Sequence, residues 1–427
     1  MSTRSRALER SGPRRGSLPG CWPALALIVA SVGCSSAPAE HARLRERVIA
    51  FEAGALERFL AVARTLEDTP LANHARALAA ETRDCTELFA HLPDDGRPAR
   101  PLLHCVDGSA DVAAADPVAQ PGDDAAADFA RDRRSDALAA FARERRGDAD
   151  GLILWPIGDD GRLELRLRVD AEGGLHAEGS LRPPGDPGGL GLILPDAEPP
   201  APSVISPVAS LAHLRARPAG GLRLSALIPT GGQADRLFAL KGRLITSALL
   251  SGSWELAFMP AAEAGRLPLA VAALHHRAEE PVRLALGEAL DQLETTWPIR
   301  RSPRRFGSQA FDGGCFLDLP LLPEFAPCWA ITPKAVLVGY RAEAIEGALA
   351  TPAVSSPPDL AAPLETQTAT NGTSLEVRLD GFAGVDRSRR AGGPDPHVGE
   401  IFSRLSLRLE PTDDERVRVR ASLRSDS

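Results

Sequence analysis

Two stretches near the N-terminus carry apolar residues at spacings of three and four, which is the period of an amphipathic helix. The first stretch covers residues 38–67, and the second ends near Ala90. Between them, Thr69 suits the N-cap of a helix and Pro70 suits its first helical position. The pattern therefore predicts a helical hairpin within residues 34–91.

The next segment has no clear hydrophobic period. Residues 92–123 are rich in Asp, Ala, Pro and Gly, a composition typical of a linker. Residues 124–146 carry many charges and few apolar positions, which predicts a third, largely solvated helix. We therefore interpret residues 92–150 as a linker followed by a charged helix.

From Gly151 onward the period changes to two. In "LELRLRV", leucine alternates with charged residues, and Asp/Gly turns join this segment to "GLILWPI" before it and "LHAEGSL" after it. The C-terminal segments "RLSLRLE" and "RVRVRASL" repeat the pattern around "PTDDE". Such alternation predicts antiparallel strands with one face toward water.

The central region mixes the two periods. It predicts strands at 221–229, Ser253–Met259, Leu269–His275, within "CFLDLPLL" and "CWAITPKAVLVGYR", and at 373–380, and helices at 233–250, from Pro281 to about Thr295, and at Ala342–Ala350. Helices and hairpins alternate irregularly, which favours an α+β fold over a doubly wound parallel sheet. We predict an N-terminal helical hairpin followed by antiparallel sheets with packed helices. The sheets fall in one domain at 151–427, with a subdivision near residue 350 as an option.

Two segments of this central region share an order of elements. In "LLSGSWELAFMP" a small residue precedes an apolar strand, and "PCWAITPKAVLVGYRAEAIEGAL" reads as strand, tight turn, strand and short helix. This order resembles a loosely defined family of bacterial exported proteins of unknown function. The resemblance covers residues 236–350, and it implies an architecture without implying an activity.

Residues 1–33 have the features of an export signal. Five arginines and one glutamate precede a short apolar run from Ala24 to Val32. A helix needs about 20 apolar residues to cross a bilayer, so this run is too short for a stable span. A basic segment, a short apolar core and small residues at its end are typical of a secretory signal.

The end of this signal, Ser31-Val32-Gly33-Cys34, resembles the lipobox of bacterial lipoproteins, although Ser31 stands where that family usually has Leu, Val or Ile. The resemblance implies cleavage before Cys34 and acylation of Cys34 with fatty acids such as palmitate. Acyl chains would anchor the protein on a membrane without a spanning segment. Ser35 after the cysteine implies the outer membrane of the bacterial envelope, facing the periplasm.

Two alternatives remain open for the export signal. An ordinary signal peptidase would cut the chain and leave Cys34 unmodified. The pair Arg14-Arg15 resembles part of a twin-arginine signal, which would change the export route.

Composition limits the class of partner. The chain of 427 residues has a formal charge of −8, and loss of residues 1–33 removes five arginines and one glutamate, so the mature charge is −12. Lysine occurs only at positions 241 and 334. An acidic chain with 4% aromatic residues argues against general binding of nucleic acid.

The cysteines suit an oxidising compartment. If Cys34 is acylated, the mature chain keeps an even number, Cys85, Cys105, Cys315 and Cys328. Proximity in sequence suggests the pairs Cys85–Cys105 and Cys315–Cys328, although other pairings and buried free thiols are alternatives.

Local sequence motifs for catalysis are absent. The chain has no GxSxG, HExxH or Walker lysine motif, and no GxGxxG after a strand. His275 and His276 are followed by Glu279 and Glu280, but neighbouring strand residues point to opposite faces and cannot easily share one metal ion. We interpret the two histidines as a surface pair at a strand end, and we predict no cofactor, no metal site and no catalytic residue.

Arginine alternates with apolar residues on both C-terminal strands. Arg404 and Arg408 lie on one strand, and Arg416, Arg418 and Arg420 lie on the next. If the strands pair, they present a basic stripe that suits phosphate or carboxylate groups of anionic lipids or glycans. The alternative interpretation is that arginine is simply the default polar strand residue in a chain with almost no lysine.

Three functional hypotheses follow. We favour a non-enzymatic envelope lipoprotein that binds or scaffolds at the membrane surface, with an envelope protein or an anionic glycan or lipid as partner and no nucleic acid. A carrier of a lipid or apolar ligand would need a continuous apolar cavity. An unrecognised hydrolase would need acids and a histidine to converge in a cleft, and its candidates are His176, His213 and His275.

Overall fold

The structure is a computed structural model. It describes residues 47–64, 87–92, 102–106, 142–158, 160–205, 210–219, 250–261, 268–296, 299–317, 326–350, 372–381 and 402–424.

The described residues are mostly strand. The strands are β1 (Arg47–Glu52), β2 (Glu87–Leu92), β3 (Leu102–Val106), β4 (Gly151–Ile157), β5 (Gly161–Val169), β6 (Leu175–Arg182), β7 (Ala212–Ala216), β8 (Leu250–Met259), β9 (Leu269–His276), β10 (Arg300–Phe306), β11 (Phe311–Leu317), β12 (Cys328–Ile331), β13 (Ala335–Gly339), β14 (Thr373–Arg378), β15 (Arg404–Pro411) and β16 (Val417–Arg424). The helices are α1 (Ala53–Arg64), α2 (Glu279–Thr296) and α3 (Ala342–Leu349), with a 3₁₀ helix at Gly188–Leu192.

All of these strands belong to one antiparallel sheet of 16 strands, in the order β10-β11-β12-β13-β9-β8-β7-β14-β15-β16-β6-β5-β4-β1-β2-β3. Its central connection is the pairing of β16 with β6, which joins the C-terminal hairpin to the meander β4-β5-β6. A continuous run of 14 strands, from β10 to β1, carries the side-chain contacts described below.

The first face of the sheet is apolar around β5, β6, β15 and β16. The leucines and valines that alternate along these strands form one buried cluster, and α1 packs on it. Phe59 of α1 stacks on Phe402, with ring centroids 5.5 Å apart. At about 25 cal/mol per Å² of buried apolar area, a cluster of this kind is the main stabilising contribution to the fold.

Among the described residues, the second face carries apolar clusters at its two sides. Leu152 of β4 packs with Ala50 and Ala142 near one side. On the other side a larger cluster forms beneath α3, where Ile345 is fully buried against strands that include β9 and β13. Helix α2 is held to β11 by an ion pair of 2.8 Å between Arg283 and Asp312.

The helical hairpin predicted within residues 34–91 is wrong where the structure describes it. Residues 47–52 are strand β1 and residues 87–92 are strand β2, although 53–64 is helical as expected. The reason is that β1 is buried on both faces, since Ile49 packs in the apolar cluster of the first face and Ala50 packs in that of the second. A strand buried on both faces carries a continuous apolar run, which also fits a helical period.

The rest of the predicted pattern has mixed outcomes. The meander after Gly151, the C-terminal hairpin, β8, β9, β12, β13, β14, α2 and α3 are confirmed. Strand β3 falls in the expected linker at 92–123, and β7 and β10 were not predicted. The α+β class is corrected to a mostly β fold because few short helices accompany the sheet. The strand expected at 221–229 lies outside the described residues, and so does the helix expected at 233–250 except for Leu250, which begins β8 instead.

Candidate functional site

Polar side chains of five neighbouring strands line a cleft on the second face of the sheet. These strands are β14, β15, β16, β6 and β5, in that order across the sheet. The cleft has a volume of about 820 Å³. Its ionisable lining residues are Asp148, Glu164, Arg166, Arg168, His176, Glu178, Glu376, Arg404, Arg408, Arg418, Arg420 and Arg424.

The cleft lies where no described segment covers the second face, between two covered regions. On one side, Ala142 packs with Leu152 of β4. On the other side, the chain at Ser203 and Val204 lies over β8 and bonds to the side chain of Glu255. The strands between these regions have charged residues on this face, so no apolar cover can pack there without burying unpaired charge.

The middle of the cleft floor is polar without excess charge. Ser406 of β15 pairs across the sheet with Ser422 of β16, and their hydroxyl oxygens lie 2.7 Å apart. Ser422 in turn pairs with His176 of β6. Residues directly opposite each other on neighbouring strands share a face, so this row continues into Arg168, the partner of His176 on β5.

His176 also anchors the turn beside the cleft. Its Nε2 donates to Asp170 at 3.1 Å, and the backbone N–H of Gly174 donates to the same carboxylate at 2.6 Å. Burial tends to raise the pKa of Asp170, but the hydrogen bonds from His176 and Gly174 outweigh it and hold this pKa below its ordinary value. His176 therefore lies at the cleft with one ring nitrogen already engaged.

Ion pairs neutralise part of the basic lining. Arg420 lies 3.4 Å from Glu178 and 3.2 Å from Glu410. Arg168 lies 3.5 Å from Asp148. These contacts are exposed, so each contributes roughly 1 kcal/mol or less.

The remaining lining leaves an excess of positive charge. Seven arginines and four carboxylates line the cleft. Arg166, Arg408, Arg418 and Arg424 form no ion pair with any residue that the structure describes. A guanidinium group without a carboxylate partner offers a planar pair of N–H donors to an external phosphate or carboxylate.

The basic stripe expected from the sequence is present, with changes in its members. Arg404, Arg408, Arg418 and Arg420 lie in the cleft. Arg416 does not line it, because it lies at the turn and pairs with Asp414 at 3.3 Å. The sequence did not assign Arg166, Arg168 and Arg424 to the stripe, because their membership depends on the pairing of β16 with β6 and of β6 with β5.

A second cluster is buried on the same face, next to the cleft. Glu255 of β8 has no exposed surface. Its Oε1 accepts hydrogen bonds from His275 Nε2 at 2.6 Å and from the backbone N–H of Val204 at 2.9 Å. Its Oε2 accepts from His213 Nε2 at 3.0 Å and from the hydroxyl of Ser203.

Four donors keep Glu255 ionised. Burial alone would raise the pKa of this carboxyl, but the bonds from His213, His275, Ser203 and Val204 more than offset burial and lower the pKa to about 2. The cluster therefore holds an anionic side chain inside the protein and ties the segment at Ser203 to the sheet.

The cluster does not have the geometry of a hydrolytic triad. In a triad the serine hydroxyl bonds to histidine, and the histidine bonds to the carboxylate. Here the hydroxyl of Ser203 donates directly to Glu255, and the Nε2 atoms of His213 and His275 also face Glu255. The imidazoles therefore position a carboxylate instead of activating a serine.

The expected surface pair of histidines is wrong. His275 and His276 are both buried, with exposed fractions of 2% and 8%. They do point to different partners, because His276 Nε2 bonds to the carbonyl oxygen of Thr332 at 2.9 Å. Sequence reasoning missed Glu255 as the partner of His275 and His213, because nothing local marks the convergence of β7, β8, β9 and residues 203–204.

Two of the candidate cysteines are bridged. Cys315 of β11 and Cys328 of β12 are directly paired across the sheet and form a disulfide. Cys105 lies on β3, while Cys34 and Cys85 fall outside the described residues. The bridge expected between Cys85 and Cys105 stays a prediction.

The described part of the chain lacks two other kinds of feature. No group of three or more His, Cys, Asp or Glu residues there has the arrangement of a metal site. No helix in the same ranges has the length and apolarity needed to cross a membrane.

Comparisons of the whole chain with protein-family models, curated proteins and solved structures found no match.

Proposed function

We propose that this protein is a lipoprotein of the bacterial envelope, anchored through Cys34, that binds an anionic ligand in the arginine-lined cleft. The ligand class is a sugar or lipid headgroup that carries phosphate or carboxylate groups. The role is binding at the membrane surface and involves no catalysis. Cys34 supplies the anchor in this proposal, and the second face of the sheet supplies the site.

The observation that carries the proposal is the set of four arginines without ion-pair partners among the described residues, Arg166, Arg408, Arg418 and Arg424. A chain with a formal charge of −8 has many carboxylates to place, yet these four guanidinium groups meet none of the carboxylates in the described ranges. Local excess of one sign in a concave surface concentrates ligands of the opposite sign.

The cleft suits an anionic ligand better than an apolar one. Burying an acyl chain against unpaired guanidinium groups would remove their water without replacing its hydrogen bonds. The cleft therefore does not favour the hypothesis of an apolar carrier, and the buried cluster around Glu255 gives no activated serine for the hypothesis of a hydrolase.

The test uses the mature full-length protein in neutral detergent, with a soluble polyuronate as the anionic probe and dextran as the neutral control polymer. We expect calorimetry to show binding of the polyuronate that weakens with salt. The double variant R408Q/R418Q should bind about tenfold or more weakly, since a charge-assisted hydrogen bond contributes about 1.5–3 kcal/mol.

The matched control is R305Q. Arg305 is exposed and lies on β10, at the far side of the sheet from the cleft. It removes one positive charge outside the cleft, whereas R408Q/R418Q removes two inside it. Equal affinity of R408Q/R418Q and the wild type, or an equal loss in R305Q, would overturn the proposal.

A further inference from the structure

We infer that the ligand carries two separate anionic groups about 13 Å apart, joined by a hydroxyl-rich chain such as a short oligosaccharide. This inference rests on the proposed function and adds the spacing and chemistry of the ligand. It is carried by the arrangement of arginine and serine pairs across β15 and β16.

Two pairs of arginines lie across β15 and β16, and within each pair the two like charges face each other. Arg404 is directly opposite Arg424, and Arg408 is directly opposite Arg420. Like charges directly opposite each other destabilise a sheet. Each pair therefore forms a position where an anion between the two guanidinium groups relieves a repulsion.

The protein compensates the two pairs only in part. Arg420 has carboxylate neighbours in Glu178 and Glu410, whereas Arg408 and Arg424 have none among the described residues. At least one guanidinium group of each pair is thus available to an external anion.

The separation of the pairs follows from strand geometry. Arg408 lies four positions after Arg404, and Arg424 lies four positions after Arg420. At about 3.2–3.4 Å per residue, the two anion positions lie about 13 Å apart along the strands. One phosphate or carboxylate cannot reach both.

Between the two positions, the floor offers hydroxyl groups. Ser406 and Ser422 form the cross-strand pair halfway between the arginine pairs, and His176 lies beside Ser422. Hydroxyl groups both donate and accept hydrogen bonds, so they match the hydroxyl groups of a sugar.

Carboxylates around the floor oppose a uniformly charged polymer. Glu178 pairs across the sheet with Arg420, and Glu376 pairs with Ser406. A chain with an anionic group on every unit, such as a polyuronate, can reach the arginines but also meets these carboxylates. It should therefore bind more weakly than two anionic groups at the ends of a neutral spacer, which avoid them. The arrangement therefore favours a discrete spacing over high charge density.

The experiment compares three probes on the mature full-length protein: maltotriose phosphorylated at both ends, maltotriose phosphorylated at one end, and maltotriose itself. We expect the doubly phosphorylated probe to bind about 100-fold more tightly than the singly phosphorylated one, because the second contact is intramolecular. R424Q should remove most of this advantage and leave binding of the singly phosphorylated probe through Arg408 nearly unchanged.

Three controls separate the outcomes. Thermal unfolding of R424Q and R305Q checks that the fold is intact. A doubly phosphorylated maltose, which is shorter, should lose the advantage. The third control attaches the doubly phosphorylated maltotriose to a lipid in phosphatidylcholine vesicles and compares its affinity with that of the free sugar. The comparison shows whether the ligand is a lipid headgroup or a soluble sugar.

The failures of the two proposals differ. If both phosphorylated probes bind equally and R408Q weakens both, the cleft binds anions but the inferred spacing is wrong. If neither phosphorylated probe nor the polyuronate binds, the proposed function falls together with the inference.

Discussion

The carboxylate of Glu255 and the imidazole of His275 form a buried pair on neighbouring strands, with 2.6 Å between Oε1 and Nε2. Neither residue has more than 2% of its surface exposed. His213 approaches the other carboxylate oxygen from β7, so one carboxylate links three adjacent strands. Polar groups buried in this way stabilise the fold only while every donor keeps its acceptor.

Replacing Glu255 tests this dependence. E255Q keeps the shape of the side chain but turns one acceptor oxygen into an NH₂ group, which leaves two of the four donors without an acceptor. We expect the free energy of unfolding to fall by about 3 kcal/mol, because each unsatisfied buried donor costs about 1–3 kcal/mol. Urea denaturation at neutral pH measures the change.

The matched control is E280Q, because Glu280 is an exposed residue of α2 with a weak contact to Arg283 at 3.8 Å. It should change the free energy of unfolding by less than about 0.5 kcal/mol. An E255Q protein as stable as E280Q would show that the cluster is energetically unimportant.

The same carboxylate predicts the acid sensitivity of the fold. The pKa of Glu255 is lowered from 4.5 to about 2. Because the folded-state pKa is the lower one, its ionised form stabilises the fold above pH 4.5, and this contribution, about 3 kcal/mol, is lost as the pH falls from 4.5 toward 2. Denaturation curves across this range should have a smaller pH slope in E255Q than in the wild type. An identical slope in both proteins would contradict the assigned pKa.

Glycine 179 on β6 lies too close to β5 for a side chain. A Cβ atom at this position would lie 1.9 Å from the backbone oxygen of Glu164. We expect G179A to lower the free energy of unfolding by about 2 kcal/mol or more, because the two strands would have to separate. Thermal and urea denaturation measure the loss.

A second glycine supplies the control for that substitution. Gly287 lies inside helix α2, and a Cβ there would meet nothing within 4 Å. G287A should raise the free energy of unfolding by about 0.5–1 kcal/mol through helix propensity. A stabilising effect of both substitutions would mean that β6 and β5 are not as close as the structure places them.

The strands that strict alternation predicted, β5 and β16 among them, share one property, which is a single wet face. Strands β5 and β16 alternate leucine or valine with arginine or glutamate, because one side contacts the apolar cluster and the other lines the cleft. Strand β1 has buried residues on both faces, Ile49 on one and Ala50 on the other, and therefore resembles a helix in its pattern. Strand β10, "RRSPRRF", has almost no apolar residue to mark it. Its place in the sheet depends on pairing with β11, which no local pattern records.

Only the part of the site that lies on the hairpin β15–β16 could be predicted from the sequence. The alternation of Arg404 and Arg408 with leucine was visible, but the register that places Arg424 opposite Arg404 is a property of the pairing. The cluster at Glu255 is harder still, since Ser203 and Glu255 are 52 residues apart in sequence. Long-range contacts of this kind leave no period or motif in the chain.

The disulfide between Cys315 and Cys328 should stabilise the β11–β12 pair. It closes a loop with a sequence separation of 13 residues, which corresponds to about 3 kcal/mol in the chain-entropy model. We expect reduction to lower the urea midpoint of the wild type. The double variant C315A/C328A should start from a lower midpoint.

The double variant also separates this bridge from any other. Reductant should shift its midpoint less than that of the wild type. Mass spectrometry of unreduced peptides from the wild type should show Cys315 and Cys328 in one linked pair. A shift of equal size in the double variant would assign the effect of the reductant to other cysteines.

Anchoring of the protein depends on Cys34 in the proposed function. In a bacterial host, the wild type should incorporate radiolabelled palmitate and sediment with membranes. C34S should lose the label and enter the soluble envelope fraction, because acyl chains contribute about 0.8 kcal/mol per buried methylene and no helix in the described ranges replaces them. C21S, a change within the expected signal, is the matched control and should leave both label and fractionation unchanged. Label retained in C34S would place the acyl group on another residue. An unlabelled wild type with its first residues intact would contradict the envelope anchor, and the binding by the cleft would then be tested on the protein in solution.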